Sequence, residues 1–301
     1  MTARTLSEIG EFGLIARLAK GIHLQKNIIK GIGDDAAVLP FTKEKHLLFT
    51  TDLLCAGVHF SAKENGRLVG RKALACSLSD IAAMGGVATS AVVSIGLPKT
   101  CRLRYVEDIY RGMNGLAKEF CVSIVGGDTI QSPCLIVNVA LLGEVERSHL
   151  VLRSGAKAGD KIFVTGPLGR SFPTKKHLSF TPRLSEARKL VQSFKPSAMI
   201  DISDGLAADL GHILQESEKS AILDVTSIPL SKDATLDNAL FDGEDFELLF
   251  TTSAGVAKKL FGQNALKVFC IGEIVRGPRK LFLRDNRGYL KALKPKGYTH
   301  F

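Results

Sequence analysis

The sequence contains no tryptophan, and aromatic residues fill 7% of its 301 positions. Stacking platforms for nucleic-acid bases are therefore scarce. Its six cysteines, Cys55, Cys76, Cys101, Cys121, Cys134 and Cys270, include no Cys-x-x-Cys pair, so the close ligand spacing of a structural zinc site is missing. The chain is too long for a disulfide scaffold, and the cysteines read as free thiols of a reducing cytoplasm. No apolar export signal is expected, because Arg4, Glu8, Glu11, Arg17 and Lys20 punctuate the opening residues. The longest uncharged run, residues 81–98, carries Gly85, Gly86, Thr89, Ser90 and Ser94 and predicts a helix end followed by a buried strand, not a membrane span.

Familiar catalytic signatures are missing as well. There is no G-x-x-x-x-G-K-[ST] loop, no G-x-G-x-x-G after a strand and no H-R-D with D-F-G. That disfavours Walker-type ATPases, Rossmann dehydrogenases and protein kinases. The chain also lacks a G-x-S-x-G elbow and an H-E-x-x-H helix, and its seven histidines are scattered. Serine hydrolases and zinc peptidases lose their support.

What is present is ordinary globular usage, 45% hydrophobic and 23% charged, with 29 Gly and 10 Pro. Disorder, collagen and coiled coil are excluded, and the length suits about two domains. The formal charge of +10 is concentrated: residues 276–296 hold eight basic residues against one acid, while residues 151–275 balance. Only Phe282 and Tyr289 interleave with these charges, so the stretch reads as a solvated hairpin in preference to a nucleic-acid surface.

Apolar spacing predicts helices over 9–22, 67–84, 105–120, 182–194 and 206–216. Strands are predicted over 46–53, 90–97, 122–125, 135–145, 160–165, 199–202, 246–252, 267–272 and 280–283. Mixed elements in both halves imply an α/β (α+β) architecture in two domains, residues 1–147 and 148–301.

Acidic residues recur beside Gly, Ser or Thr: Gly33-Asp34-Asp35, Thr50-Thr51-Asp52, Ser79-Asp80, Gly126-Gly127-Asp128-Thr129, Asp201-Ile202-Ser203-Asp204-Gly205 and Gly243-Glu244-Asp245. Carboxylate oxygens are what hard cations take, and Mg²⁺ uses one or two of them together with substrate phosphates. Neighbouring glycines leave backbone N–H groups open to phosphate oxygens. Any one such motif also reads as a turn, or as a helix N-cap before residues 206–216. Six in one chain, several expected at strand C-terminal ends as for Asp128, Asp201 and Asp204, point to a polyanion site built on metals.

At these residues the sequence resembles the thiamine-monophosphate kinase family, within the aminoimidazole ribonucleotide synthetase-like ATP-binding superfamily. The resemblance rests on residues 31–38 (GIGDDAAV), 50–60 (TTDLLCAGVHF), 71–86 (RKALACSLSDIAAMGG), 124–129 (IVGGDT), 153–160 (RSGAKAGD), 201–210 (DISDGLAADL), 243–250 (GEDFELLF) and 296–301 (KGYTHF), with Gly10-Glu11-Phe12 and Leu14-Ile15 before them. It implies a two-domain fold whose N-terminal half dimerises, and ATP-dependent conversion of thiamine monophosphate to thiamine diphosphate with several Mg²⁺ ions. Carried over by position, Asp35, Thr50, Thr51, Asp52, Asp80, Asp128, Asp201 and Asp204 would be metal ligands. Gly127, Asp128, Arg153 and Ser203 would contact ATP, and His59, Glu244 and Tyr298 would contact thiamine monophosphate. Asp128, Asp204 and Arg153 would carry the catalysis. No nucleic-acid or membrane partner is expected.

For the residues other than the aspartates, plainer readings stand beside these. His59 could be a satisfied half-buried histidine, Tyr298 packing, Arg153 an ion-pair partner of Asp160, and Glu244 a turn residue. After Gly169 a helical stretch common in the family is shortened, and Thr299 stands where Asp is common. The competing functions are a related small-molecule phosphotransferase or synthetase, and a nucleotide-binding protein without catalysis.

Overall fold

The computed structural model describes residues 5–262 and 266–301. Two mixed sheets, each flanked by helices, account for the fold. The first half runs α1 (Leu6–Ala19), β1 (Ala37–Pro40), β2 (Lys45–Cys55), α2 (Gly66–Ala83), β3 (Val87–Leu97), α3 (Leu103–Glu119), β4 (Ser123–Gln131) and β5 (Ile136–Glu146). Its five strands lie in the order β1-β2-β5-β3-β4, with β4 at the edge. The second half runs β6 (Lys161–Val164), α4 (Lys176–Ser179), α5 (Leu184–Ser193), β7 (Ala198–Asp201), α6 (Leu206–Ser217), β8 (Ser220–Asp224), α7 (Leu236–Phe241), β9 (Leu248–Thr252), α8 (Ala254–Gly262), β10 (Phe269–Val275), β11 (Leu281–Arg284) and β12 (Leu290–Leu293). Its seven strands lie in the order β12-β11-β8-β10-β6-β9-β7.

The central helix α2 is buried along nearly its whole length, from Val69 to Ala83, because Ala, Gly, Cys and Ser leave little side chain to clash. At Gly70 an added Cβ would fall 1.8 Å from the Ile109 carbonyl oxygen, so α2 and α3 meet backbone to backbone. One face of α2 packs on β2 and β5, and its C-terminal part reaches β7 of the other sheet. A single apolar cluster accordingly joins Leu74, Leu78 and Ile81 to Val137, Val139 and Leu141, and extends to Met199, Leu248 and Phe250.

Most expected elements are present within a few residues, and the run 81–98 is a helix end followed by β3. No helix among the described residues is long and apolar enough to cross a membrane. The basic stretch forms the antiparallel β11–β12 hairpin, where Arg284 pairs with Asp224 at 2.5 and 2.9 Å. Two boundaries require correction. β2 continues through Asp52 to Cys55, and β4 continues through Gly126-Gly127-Asp128-Thr129 to Gln131, so Asp52 and Asp128 lie within strands, not at strand ends. The glycines misled the reading of β4, yet Gly127 is there because an added Cβ would meet the Val93 carbonyl oxygen at 1.8 Å. Asp80 lies in the last turn of α2.

Candidate active site

Asp35, Asp80 and Asp201 converge from three elements: the loop before β1, the end of α2 and the end of β7. One carboxylate oxygen of each lies within 4.8 Å of the others. Hydroxyls hold the cluster. Ser79 Oγ donates to Asp201 at 2.5 Å, Ser77 Oγ donates to Asp52 at 2.6 Å, and Thr50 Oγ1 donates to Asp80. Ser77, Ser79 and Asp80 all belong to α2, which therefore presents a polar end to both sheets.

Crowding like charges in a buried place favours their protonated forms. Burial, then Asp52, Asp201 and Asp35, push Asp80 well above the usual carboxylate range. Burial and Asp35 raise Asp201 to about 8, and burial and Asp35 raise Asp34 to about 7. Two cations answer them: Arg153 Nη2 donates to Asp35 Oδ1 at 2.7 Å and its backbone N–H donates to Asp34, while Lys30 Nζ lies 3.8 Å from Asp34 Oδ2. Burial opposes the charge of Arg153, but Asp35 and Asp34 outweigh it and hold the guanidinium protonated. Arg153 thus pairs with Asp35, not with Asp160, which accepts from Ser197 and the Lys157 N–H. Asp35 Oδ2 is buried with no hydrogen-bond partner. An all-oxygen donor set with excess negative charge and an orphaned carboxylate oxygen fits a divalent hard cation such as Mg²⁺.

Beside the carboxylates lies a cleft of ≈ 270 Å³, lined by Asp52, His59, Phe172, Ser203, Asp204, Glu244, Phe246, Tyr298 and His300 among others. His59 Nδ1 accepts from the Cys55 N–H at 3.0 Å. Burial, Lys72 and His300 lower His59 to about 4, so its ring is neutral at pH 7. Glu244 accepts from Lys72 through both oxygens at 2.7 Å. The Tyr298 N–H donates to the Asp204 carbonyl at 3.0 Å, which ties the C-terminal segment to the start of α6. Burial and Glu11 raise Asp204 to about 6. Gly205 has φ +112°, a conformation that suits glycine at this sharp strand-to-helix turn.

The structure separates the remaining candidates. Register runs Asp52–Val139–Val93–Gly127 across β2, β5, β3 and β4. Three strand spacings of about 4.8 Å put Gly127 roughly 14 Å from Asp52. Asp128 is exposed, and its own acceptor contact is with the Thr129 N–H at 2.8 Å. Strand alternation also sends Thr51 to the face opposite Thr50 and Asp52, where the Asn138 amide donates to it at 2.8 Å. Asp128 lies on the row Leu53–Asn138–Ser94–Asp128, so it shares that outer face with Thr51. Within one chain, Thr51, Gly127 and Asp128 stand apart from the carboxylate cluster.

Several site residues escaped the reading of the sequence. Lys72 is a fully buried lysine inside an apolar helix pattern. Asp209 accepts from the N–H groups of Asp204 and Gly205, and with Asp204 and His212 it forms a second group of ligand atoms within 4.8 Å. Asp209 had a signal, the third acid in DISDGLAADL; Lys72 had none, since its partner lies 172 residues away.

The chain is similar to known proteins. Residues 33–145 match the family described as AIR synthase related protein, N-terminal domain. Along the whole chain the similarity is more specific. The thiamine-monophosphate kinase of Buchnera aphidicola subsp. Schizaphis graminum is 35% identical over 326 residues, covering 98% of this chain and 99% of the relative. The chain belongs to the thiamine-monophosphate kinase family. The thiamine-monophosphate kinase of Aquifex aeolicus is 34% identical over 98% of this chain and 99% of its own length. A solved structure described as AaThiL complexed with AMPPCP and TMP superposes with a TM-score of 0.87 at 33% identity, covering 100% of both chains.

Proposed function

We propose that this chain transfers the γ-phosphoryl group of ATP to the phosphate of thiamine monophosphate, giving thiamine diphosphate and ADP. The observation that carries this reading is the convergence of Asp35, Asp80 and Asp201 beside the cleft of His59, Ser203, Asp204 and Glu244, in a chain of this family.

The acceptor is a phosphate monoester with a second pKa of about 6, so near neutral pH it is already a dianionic nucleophile. No general base is required, and neutral His59 is not placed to act as one, because its Nδ1 already accepts from the Cys55 N–H. The obstacle is mutual repulsion of two phosphorylated molecules. Bound Mg²⁺ would supply charge neutralisation at the phosphates. Asp35, Thr50, Thr51, Asp52, Asp80, Asp128, Asp201 and Asp204 would hold the ions, some through water. Arg153, permanently charged, would clamp a phosphate oxygen beside Gly127, Asp128 and Ser203 at the nucleotide. Asp128, Asp204 and Arg153 would stand at the reacting groups, and His59, Glu244 and Tyr298 would orient thiamine monophosphate.

The separation of Thr51, Gly127 and Asp128 from the cluster supports a homodimer. The outer sheet face that carries Thr51 and Asp128 exposes Phe49, Leu53, Val92 and Ile130 between 41% and 58%. An apolar face of this kind calls for a cover, and a second copy of the same face is the commonest. Division at residues 147 and 148 would then give a dimerising N-terminal domain and a C-terminal domain that completes the substrate site. A cytoplasmic location agrees with six free cysteines.

Purified protein with Mg²⁺, ATP and thiamine monophosphate should form thiamine diphosphate, and Asp204→Asn should abolish this while the fold is retained by circular dichroism. Absence of product with the wild type overturns the reading.

A further inference from the structure

Lys72 is among the largest fully buried side chains, and it does not line the cleft. Its ammonium group has three N–H donors. Three acceptors lie at 2.7 Å: the His59 carbonyl oxygen and both Glu244 carboxylate oxygens. The same Nζ stands 5.5 Å from the centroid of the Phe172 ring, within cation–π range. His59, Glu244 and Phe172 all line the cleft, and each comes from a different segment. His59 follows β2, Glu244 precedes β9, and Phe172 belongs to the short connection between β6 and α4.

None of these segments is held by regular structure at the residue concerned. Glu244 has φ +63°, a left-handed conformation that costs energy for a residue with a side chain and persists only where surroundings impose it. The Phe172 ring is 45% exposed and is stacked on His177 at 4.2 Å. A buried ammonium without a counter-ion is strongly unfavourable, so fully buried Lys72 and the half-buried Glu244 carboxylate fix each other's place.

We propose that Lys72 is a positioning residue of the substrate pocket: one ammonium group gathers the His59, Glu244 and Phe172 segments into the wall against which thiamine monophosphate docks. The assignment rests on the substrate reading given above. Lys72 itself is enclosed and acts through these three residues.

Steady-state kinetics on the full chain test this with Lys72→Met, Glu244→Gln and the double variant. Lys72→Met should raise KM for thiamine monophosphate about 10-fold or more and leave KM for ATP within about twofold. Adding Lys72→Met to Glu244→Gln should raise it by much less than about 10-fold, because the two substitutions remove one shared interaction. A folded Lys72→Met with both KM values unchanged overturns the proposal, as do effects that multiply. Where Lys72→Met alone does not fold, the double variant against Glu244→Gln decides: similar KM values support the proposal and a further large rise overturns it. Wild type that forms no thiamine diphosphate overturns the substrate reading and this proposal with it, a result seen before any variant is made.

Discussion

Ser79 on α2 and Asp201 at the end of β7 are joined by a 2.5 Å hydrogen bond across 122 residues of sequence. The bond fastens the helix that packs on the first sheet to an edge strand of the second, and it aims one carboxylate at Asp35 and Asp80. Ser79 is itself buried, so the hydroxyl serves Asp201 and not solvent.

Loss of that hydroxyl should loosen a metal ligand without removing it. Ser79→Ala is expected to raise the Mg²⁺ concentration needed for half-maximal activity about 10- to 100-fold, the usual cost of removing a partner behind a ligand. Mg²⁺ titration of the initial rate checks this; an unchanged midpoint would show that Ser79 does not orient Asp201.

Asp80 sits among three other acids that raise it together with burial. Asp80→Asn keeps the shape and removes the ionisable group, so the metal-free protein should melt about 2–4 °C higher, the shift that about 1 kcal/mol gives at this size. The same variant should lose kinase activity and most of the stabilisation that Mg²⁺ confers on the wild type. A lower melting temperature in the absence of metal would contradict the electrostatic account.

The raised acids also fix the direction of pH dependence. Asp201 at about 8, Asp34 at about 7 and Asp204 at about 6 all lie above the ordinary 3.8. Between those values the folded state binds protons that the unfolded state has released, so stability falls as pH rises from about 4 to about 8. Mg²⁺ competes with those protons. Its thermal shift should therefore be larger at pH 8 than at pH 6, measured by scanning calorimetry at fixed ionic strength; equal shifts would tell against the cluster as the metal site.

The outer face of the first sheet offers a test of assembly. Val92 is 41% exposed at the middle of β3, on the row Thr51–Ala140–Val92–Gly126, where Ala140 stands between it and Thr51. Val92→Arg should shift the protein to monomer on a sizing column and reduce activity at least about 10-fold, since a charge placed in a desolvated interface is costly. Retention of a dimer with full activity would remove that face from the interface.

Much of the architecture is legible in the residue order because hydrophobic spacing reports local geometry: α2, β2, β3, α3, β5 and α6 follow from it nearly to their ends. β1, β8, β12, α4, α7 and α8 escaped, being short elements whose stability comes from neighbours in the sheet or beneath it. The aspartates were visible as a set because carboxylates beside Gly, Ser and Thr stand out in any linear reading. Which of them meet was not visible. Strand alternation turned Thr51 away from Thr50 and Asp52, and sheet order placed Asp128 three strands off, while burial alone revealed Lys72 as the partner of Glu244. Local chemistry is written along the chain, whereas proximity, protonation and the sharing of one ammonium among three loops depend also on contacts such as Lys72–Glu244, Ser79–Asp201 and Asp35–Arg153, each more than a hundred positions apart, and those exist only once the two sheets have packed around α2.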